Sequence, residues 1–464
     1  MGFLAKNIGH RRILMPLHIA HSRRESLMDL LTYANNNVPY YEGRYDRFLS
    51  DAPALSNEDF YKAFAQTPVT TKQDLSDYND RFQTRSLSGK IDLINDGAPP
   101  NALQALWSLF IRKNFKISIS TGGTSGTPTY RWLDHHDANV MAQSFLESFH
   151  MNGWRRGESF VVYYPLQSYF TDTYATFNNW LHHLFGFCVV PFETVDRESV
   201  LRLLQTLQDR KTTLLVIFPC VLQRVAEIMK AENMPPYEGL KYINVSGEFF
   251  FDCSKAFIQE MFPNARIEIT YGAVELGELA HQHGDSSFDY KVFNTYAYVE
   301  DGDHDAMIIT SLQQQAFPMI RYQMEDKAHI VNDPDGTQYL MNLEGKNTDF
   351  LYGADGGKYY ASFFNTMVND LNAECTGNII HFMMRHEGVR ADLNFVLKEQ
   401  NEAHQTYIIH ESRKIIAETF PQFSDISVNF PDHFNHDYTR KFKIIGEGDG
   451  LSEVVGGYYK RKAS

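Results

Sequence analysis

The stretch "STGGTSGTPTYRW", Ser120 to Trp132, sets three glycines among small hydroxyl residues and one proline. A segment so poor in side chains leaves its backbone N–H groups accessible, and glycine takes positive φ at little cost. Amides turned inward in this way bind anions, most often phosphate. A flexible surface connection is the plainer alternative for such a segment. No Gly-Lys-Ser/Thr follows Gly122, so this is not a Walker A loop, and Gly-x-Gly-x-x-Gly spacing is absent too. No Gly-x-Ser-x-Gly elbow points to a hydrolase. The histidines at 135/136, 182/183 and 281/283 lack cysteine or carboxylate partners at ligand spacing, so they read as ordinary histidines.

These residues need elements to hold them. "SRRESLMDLLTYANNNVPYY" places Leu27, Leu30, Leu31 and Ala34 on one helical face, with Pro39 as the stop. From about residue 158, β-rich runs recur: "SFVVYYP", "FCVVPF", "TLLVIFP", "KYINVS" and "RIEITYG". Helical patterns separate them, most clearly "DRESVLRLLQTLQDR" with Val200, Leu203, Leu204 and Leu207 in step. That alternation predicts βα units and a largely parallel sheet. Beyond residue 285, strand candidates follow one another without helices, which predicts an appended antiparallel sheet or small barrel. From Gly345 a third texture mixes helices near 359–372 and 404–419 with strands such as "DLNFVLKE" and "DISVNF". The expected fold is therefore α/β. A large N-terminal domain (1–344) combines the mostly parallel sheet with the appended strands, and a small, mobile α+β domain (345–464) follows.

Composition narrows the function classes. The chain has 464 residues, long enough for two domains, and 43% are hydrophobic, enough for a sizeable core. A formal net charge of −14 argues against nucleic acid or an anionic membrane as the main partner. The opening residues show no clean apolar signal region, and Lys6 stands where a myristoylation signal wants Ser or Thr. The apolar run at 214–222 is too short to span a bilayer. Four widely spaced cysteines suggest neither zinc nor a disulfide framework. A cytoplasmic location is expected.

The glycine stretch, as "TGGTSGTPT", resembles the phosphate loop of the adenylate-forming enzymes, which include acyl-CoA synthetases and adenylation domains. It is most similar to that of the phenylacetate–CoA ligase branch and its capsule-biosynthesis-type relatives. Further motifs follow in the family's order. "SGE" at 246–248 is similar to the Gly-Ala-Glu beside adenine, and "YGAVE" at 271–275 to Tyr-Gly-x-Ser/Thr-Glu. "PMIRYQMED" at 318–326 resembles Pro-x-x-Arg-Tyr-x-x-Gly-Asp, and "EGKNTDFLYGADGG" at 344–357 resembles the domain hinge.

The resemblance implies that a carboxylic acid and ATP give an acyl-adenylate and pyrophosphate, followed by transfer to CoA. Thr121, Gly122, Gly123, Thr124, Ser125, Gly126 and Thr127 would hold phosphate. Ser246, Gly247, Glu248 and Tyr271 would stand beside the adenine, Gly272 and Ala273 would belong to the same nucleotide site, and Asp326 would hold the ribose; residues 163–174 and 248–251, with Ala273, would lie near the acid. Lys346 would stand at the hinge. Glu275 would help hold Mg²⁺, a hard cation that prefers oxygen. Lys441, with Lys443 as rival, would be the lysine that reaches the α-phosphate. An aryl or other small acid is the expected substrate. An amine, a carrier-protein thiol or another acceptor in place of CoA is the alternative, as is nucleotide binding without turnover; a homodimer is a further possibility. The chain departs from the pattern at Thr127, where lysine is frequent, at Val274 in place of Ser/Thr, at Lys346 in place of arginine, and at Arg440 before Lys441.

Overall fold

The computed structural model describes residues 22–85, 117–120, 130–155, 157–165, 187–273, 275–303, 306–346, 350–434, 436, 438 and 442–447. Helix α1 (Arg23–Asn37) opens with a capping box, in which the Ser22 side chain accepts from the Glu25 amide and the Glu25 carboxylate accepts from that of Ser22. It buries Leu27, Leu30, Leu31 and Ala34, the face that the spacing predicts. Short helices α2 (Asp46–Asp51), α3 (Asn57–Phe64) and α4 (Lys72–Asp77) follow. They present Phe48, Phe60, Phe64 and Leu75 to the same core.

Strands β1 (Ile117–Ser120) and β2 (Tyr130–Leu133) form a hairpin with Ser120 opposite Tyr130. Helix α5 (His135–Asn152) starts directly after it, capped by Asp134. The alternating region then unfolds as expected: β3 (Phe160–Pro165), β4 (Phe187–Phe192), α6 (Arg197–Asp209), β5 (Leu214–Ile217), α7 (Pro219–Ala231), β6 (Tyr242–Ser246), α8 (Asp252–Met261) and β7 (Arg266–Ala273). Strands β4, β3, β5, β6 and β7 pair in parallel in that order. Leu214, Leu215, Val216 and Ile217 are all buried, as a strand covered on both faces requires. Pro219 at the first turn of α7 is where its missing N–H costs nothing.

The consecutive strands come next: β8 (Gly277–Gln282), β9 (Tyr290–Val292), β10 (Ala297–Asp301), β11 (Ala306–Ser311), β12 (Tyr322–Asn332) and β13 (Gln338–Lys346). They do not stand apart as a separate sheet. β8 pairs antiparallel with β7, and β3 to β13 form one eleven-stranded sheet ordered β10-β11-β12-β13-β9-β8-β7-β6-β5-β3-β4. The change from parallel to antiparallel therefore falls at β7/β8, between Tyr271 and Glu278.

The C-terminal part begins with the small ribbon β14 (Leu351–Tyr352) and β15 (Lys358–Tyr359). Helix α9 (Ala361–Glu374), strands β16 (Ile379–Glu387) and β17 (Arg390–Leu397), helix α10 (Glu402–Thr419), β18 (Asp425–Asn429) and β19 (Ile445–Glu447) complete it. Its sheet runs β18-β17-β16-β19. Phe364, Phe382, Phe395 and Phe420 form the centre of its core. Among the described residues, no helix is long and apolar enough to cross a membrane.

Candidate functional site

The junction of β7 and β8 gathers motifs that lie far apart in sequence. Tyr271, near the end of β7, donates its hydroxyl to Asp326 Oδ2 at 2.7 Å. Asp326 stands on β12 opposite Lys346 on β13, so the ribose candidate and the hinge candidate are register partners. Burial raises the Tyr271 phenol well above its ordinary range, and the charges of Asp326 and Glu275 raise it further. Tyr322 is shifted the same way by burial, then by Glu275, Glu325 and Asp326. Three carboxylates thus impose a negative field around two phenols.

The segment that supplies Asp326 is held from several sides. Tyr41 donates to the Pro318 carbonyl at 3.1 Å and accepts from the Ile320 amide at 3.2 Å. Thr70 accepts from the Gln323 amide and donates its own amide to the Arg321 carbonyl. Arg321 is buried, takes φ +47° and pairs with Glu300 at 3.2 Å. The connections between the N-terminal helices therefore shape the strand entry that leads to Asp326.

Glu275 sits half-buried in the turn after β7. Its carbonyl accepts from Arg131 Nη1 at 2.6 Å. Arg131 lies on β2, one residue beyond the strand pair that brackets the glycine stretch, and is only 1% exposed. Its other nearby charge is Asp137 in the first turn of α5, at 3.9 Å. Asp137 accepts from the Gln315, Ala316 and Phe317 amides at 2.7, 3.1 and 3.3 Å. Burial pushes the Arg131 guanidinium down to about 10 and the Asp137 carboxyl up, and each partner's charge opposes the other's shift. Gln314 completes the tie by donating to the Leu276 carbonyl at 2.8 Å. Hairpin, helix start, residues 313–317 and the Glu275 turn form one hydrogen-bonded unit.

Ser246 ends β6, buried, and Gly247 takes φ +88°, a conformation that favours glycine. The Glu248 carboxylate accepts from the Cys220 amide at the start of α7, at 3.1 Å. It also accepts from the Phe442 amide at 2.8 Å. Glu248 thus ties the large sheet's helix layer to the segment that carries the candidate lysines. Lys443 is exposed, and its carbonyl accepts from Arg385.

The structure brings together Tyr271, Gly272, Ala273, Glu275 and Asp326, with Ser246 and Gly247 on the neighbouring strand end. Thr121, Gly122, Gly123, Thr124, Ser125, Gly126, Thr127, Val274 and Lys441 lie outside the described residues. Lys346 is placed by its backbone alone. Arg131 and Asp137 are the residues that sequence reading does not single out for the site. Their only signal is an arginine and an aspartate flanking the glycine stretch, and their common role depends on contacts about 140 to 180 residues away.

The chain is similar to known proteins in sequence and in fold. The chain is 22% identical over 338 residues to the phenylacetate-coenzyme A ligase of Pseudomonas putida, covering 70% of this chain and 69% of that one. Its fold is that of a solved 2-hydroxyisobutyryl-CoA ligase in the postadenylation state with R3-HIB-AMP. The TM-score is 0.67 at 16% identity, over 92% of this chain and 89% of that one. The same ligase with 2-HIB-AMP and CoA in the thioesterification state gives 0.52 at 18% identity, over the same shares. No family model matches the chain.

Proposed function

We propose, from the premise that this chain has the fold of the adenylate-forming acyl-CoA ligases, that it activates a carboxylic acid with ATP and passes the acyl group to CoA. The observation that carries the reading is the unit built around Tyr271, Asp326 and Glu275. Two motifs from separate parts of the chain, 271–275 and 318–326, meet there, beside the paired ends of the glycine stretch. The 22% identical relative, which is a phenylacetate-coenzyme A ligase by name, supports the same chemistry.

The residues divide the work by position. In-line attack by the acid on the α-phosphate needs oxygens positioned and charge neutralised more than it needs a base. Asp326 accepts from donors, so a ribose hydroxyl suits it, and Tyr271 fixes its orientation. Residues 121–127 would hold phosphate, with the Arg131 anchor keeping their flanking strand against the Glu275 turn. The Glu275 carboxylate, within a negative field that it shares with Asp326 and Glu325, is a hard oxygen donor of the kind Mg²⁺ takes. Bound there, Mg²⁺ would supply charge to the phosphates of ATP.

Lys441 would reach the α-phosphate from the C-terminal part, residues 345–464, acting as a lid. The hydrogen bond of Glu248 to the Phe442 amide, one residue along, supports that assignment. The higher TM-score against the postadenylation state supports reading the present arrangement as the adenylating one. ATP–pyrophosphate exchange across a panel of aryl and small aliphatic acids tests the first step. Thioester formation on adding CoA, against a carrier protein or an amine, tests the acceptor. Absence of exchange with every acid would sink the proposal.

A further inference from the structure

The family resemblance places Glu248 beside adenine, yet its carboxylate is engaged elsewhere. Oε2 accepts from the Cys220 amide at 3.1 Å, and Oε1 lies 3.4 Å from the Cys220 thiol. Cys220 is the second residue of α7, so the carboxylate sits at a helix start, where negative charge is stabilised. Oε1 also accepts from the Phe442 amide at 2.8 Å, across 194 residues of sequence. A carboxylate bound to a backbone amide makes a charge-assisted bond, stronger than a neutral one.

The Phe442 ring is held from the other part of the molecule. His381 on β16, 7% exposed, stacks on it with centroids 4.7 Å apart and planes 30° apart. Phe434 stacks on the same ring at 5.8 Å and lies 4.8 Å from His381, while His436 meets it edge-on at 5.3 Å. Burial, then the charge of His436, lowers the His381 imidazole to about 3, so it is a neutral ring near neutral pH. Cys220 and Glu227 of α7 line one small cavity together with His381 and Phe442, so the two grips meet at one place. The helix layer of the large sheet takes the backbone of Phe442, and the C-terminal part takes its ring. Phe442 directly follows Lys441, so fixing its amide and its ring restricts where that lysine can stand.

We infer that Glu248 and His381 are positioning residues for adenylation, which together grip Phe442 and so aim the neighbouring Lys441 at the α-phosphate. This rests on the adenylation reading above, with Lys441 as its lysine. It goes beyond that reading by giving Glu248 a role away from the nucleotide and His381 a role in the reaction.

The experiment separates the two half-reactions. Pyrophosphate exchange with the acid most active in the wild type reads the first, and CoA thioester formation from that acid's supplied adenylate reads the second. Glu248→Gln and His381→Ala are each expected to lower kcat for exchange roughly 10-fold, with KM for ATP held within about twofold and thioester formation spared. His381→Phe should restore most of the exchange, because it keeps a flat ring against Phe442. The double variant Glu248→Gln/His381→Ala should lose less than the product of the single losses, because both act through Phe442. A raised KM for ATP with kcat held in Glu248→Gln would return that residue to adenine and overturn the inference. Equal loss in both half-reactions, unchanged exchange, or His381→Phe as slow as His381→Ala would also overturn it and leave the ligase reading standing. Where Glu248→Gln does not fold by circular dichroism, the two His381 variants decide on the same criteria. No wild-type exchange with any acid would overturn the ligase reading, and this inference with it.

Discussion

Glu275 and Glu278 are three residues apart and meet opposite environments. Glu275 lies half-buried in the turn after β7, with its carbonyl bound by Arg131. Its carboxylate can serve a cation without leaving a hole in the core. Glu275→Gln should keep the urea midpoint of unfolding and lower pyrophosphate exchange at least ~100-fold, since charge at the transferring phosphates is lost. Wild-type exchange by that variant would remove Glu275 from the site. Glu278, by contrast, is buried, and burial raises its carboxyl to about 7 from an ordinary 4.5. Between those values the folded chain holds the proton longer than the unfolded chain. Stability therefore falls as pH rises through that window, on the order of 3 kcal/mol at most, and levels off above about 7. Glu278→Gln cannot ionise and should flatten this slope. Urea titrations of both proteins at pH 5 and pH 8 measure it, and equal slopes would place the titration elsewhere.

At the scale of elements, the β1–β2 hairpin and the start of α5 matter more than their length suggests. Arg131 and Asp137 fasten them to the Glu275 turn and to residues 315–317. Arg131→Met removes the bond to the Glu275 carbonyl and leaves Asp137 buried beside an apolar chain. The expected loss is about 3 kcal/mol of stability by urea denaturation, together with a raised KM for ATP. An unchanged KM would show that the anchor does not position the phosphate stretch. Much of this frame was legible in sequence. Helix α1 shows its buried face because Leu27, Leu30, Leu31 and Ala34 recur at helical spacing. The parallel strands show as short apolar runs because both their faces are covered. Strands β9 to β13 were visible as strands, but β8, and the continuity it gives with β7, were not. Pairing depends on backbone hydrogen bonds between distant segments, and side-chain patterns do not record it. Arg131 and Asp137 were illegible as a pair for the same reason: each looks ordinary in its own segment.

At the scale of the whole molecule, contacts join the large sheet's helix layer to the C-terminal part. Helix α8 is the hub. Phe251 and Cys253 are buried in the same cluster as Phe364 and Phe382 of the C-terminal core. Asp252 joins the two parts more specifically. Its carboxylate accepts from Asn365 Nδ2 at 2.8 Å and Asn369 Nδ2 at 2.9 Å, both on α9, and from Ser287 Oγ at 2.7 Å. Its amide donates to Asn365 Oδ1 at 3.1 Å. Ser254 adds a bond to the Ile380 carbonyl, and Lys398 reaches Glu260 at 2.6 Å on the rim. The rim pair is exposed enough to contribute little, whereas the Asp252 cluster is charge-assisted and part-buried, so it sets the preference for this arrangement. If adenylation belongs to this arrangement, Asp252→Ala should slow pyrophosphate exchange by roughly 10-fold. Transfer from a supplied acyl-adenylate to CoA should be spared, because that step does not draw on these bonds. Small-angle scattering of the free variant should show a larger radius of gyration than the wild type, which separates loosening of the lid from damage to the site. A variant that slows both steps equally and keeps the wild-type dimensions would make Asp252 a structural residue of α8 and nothing more.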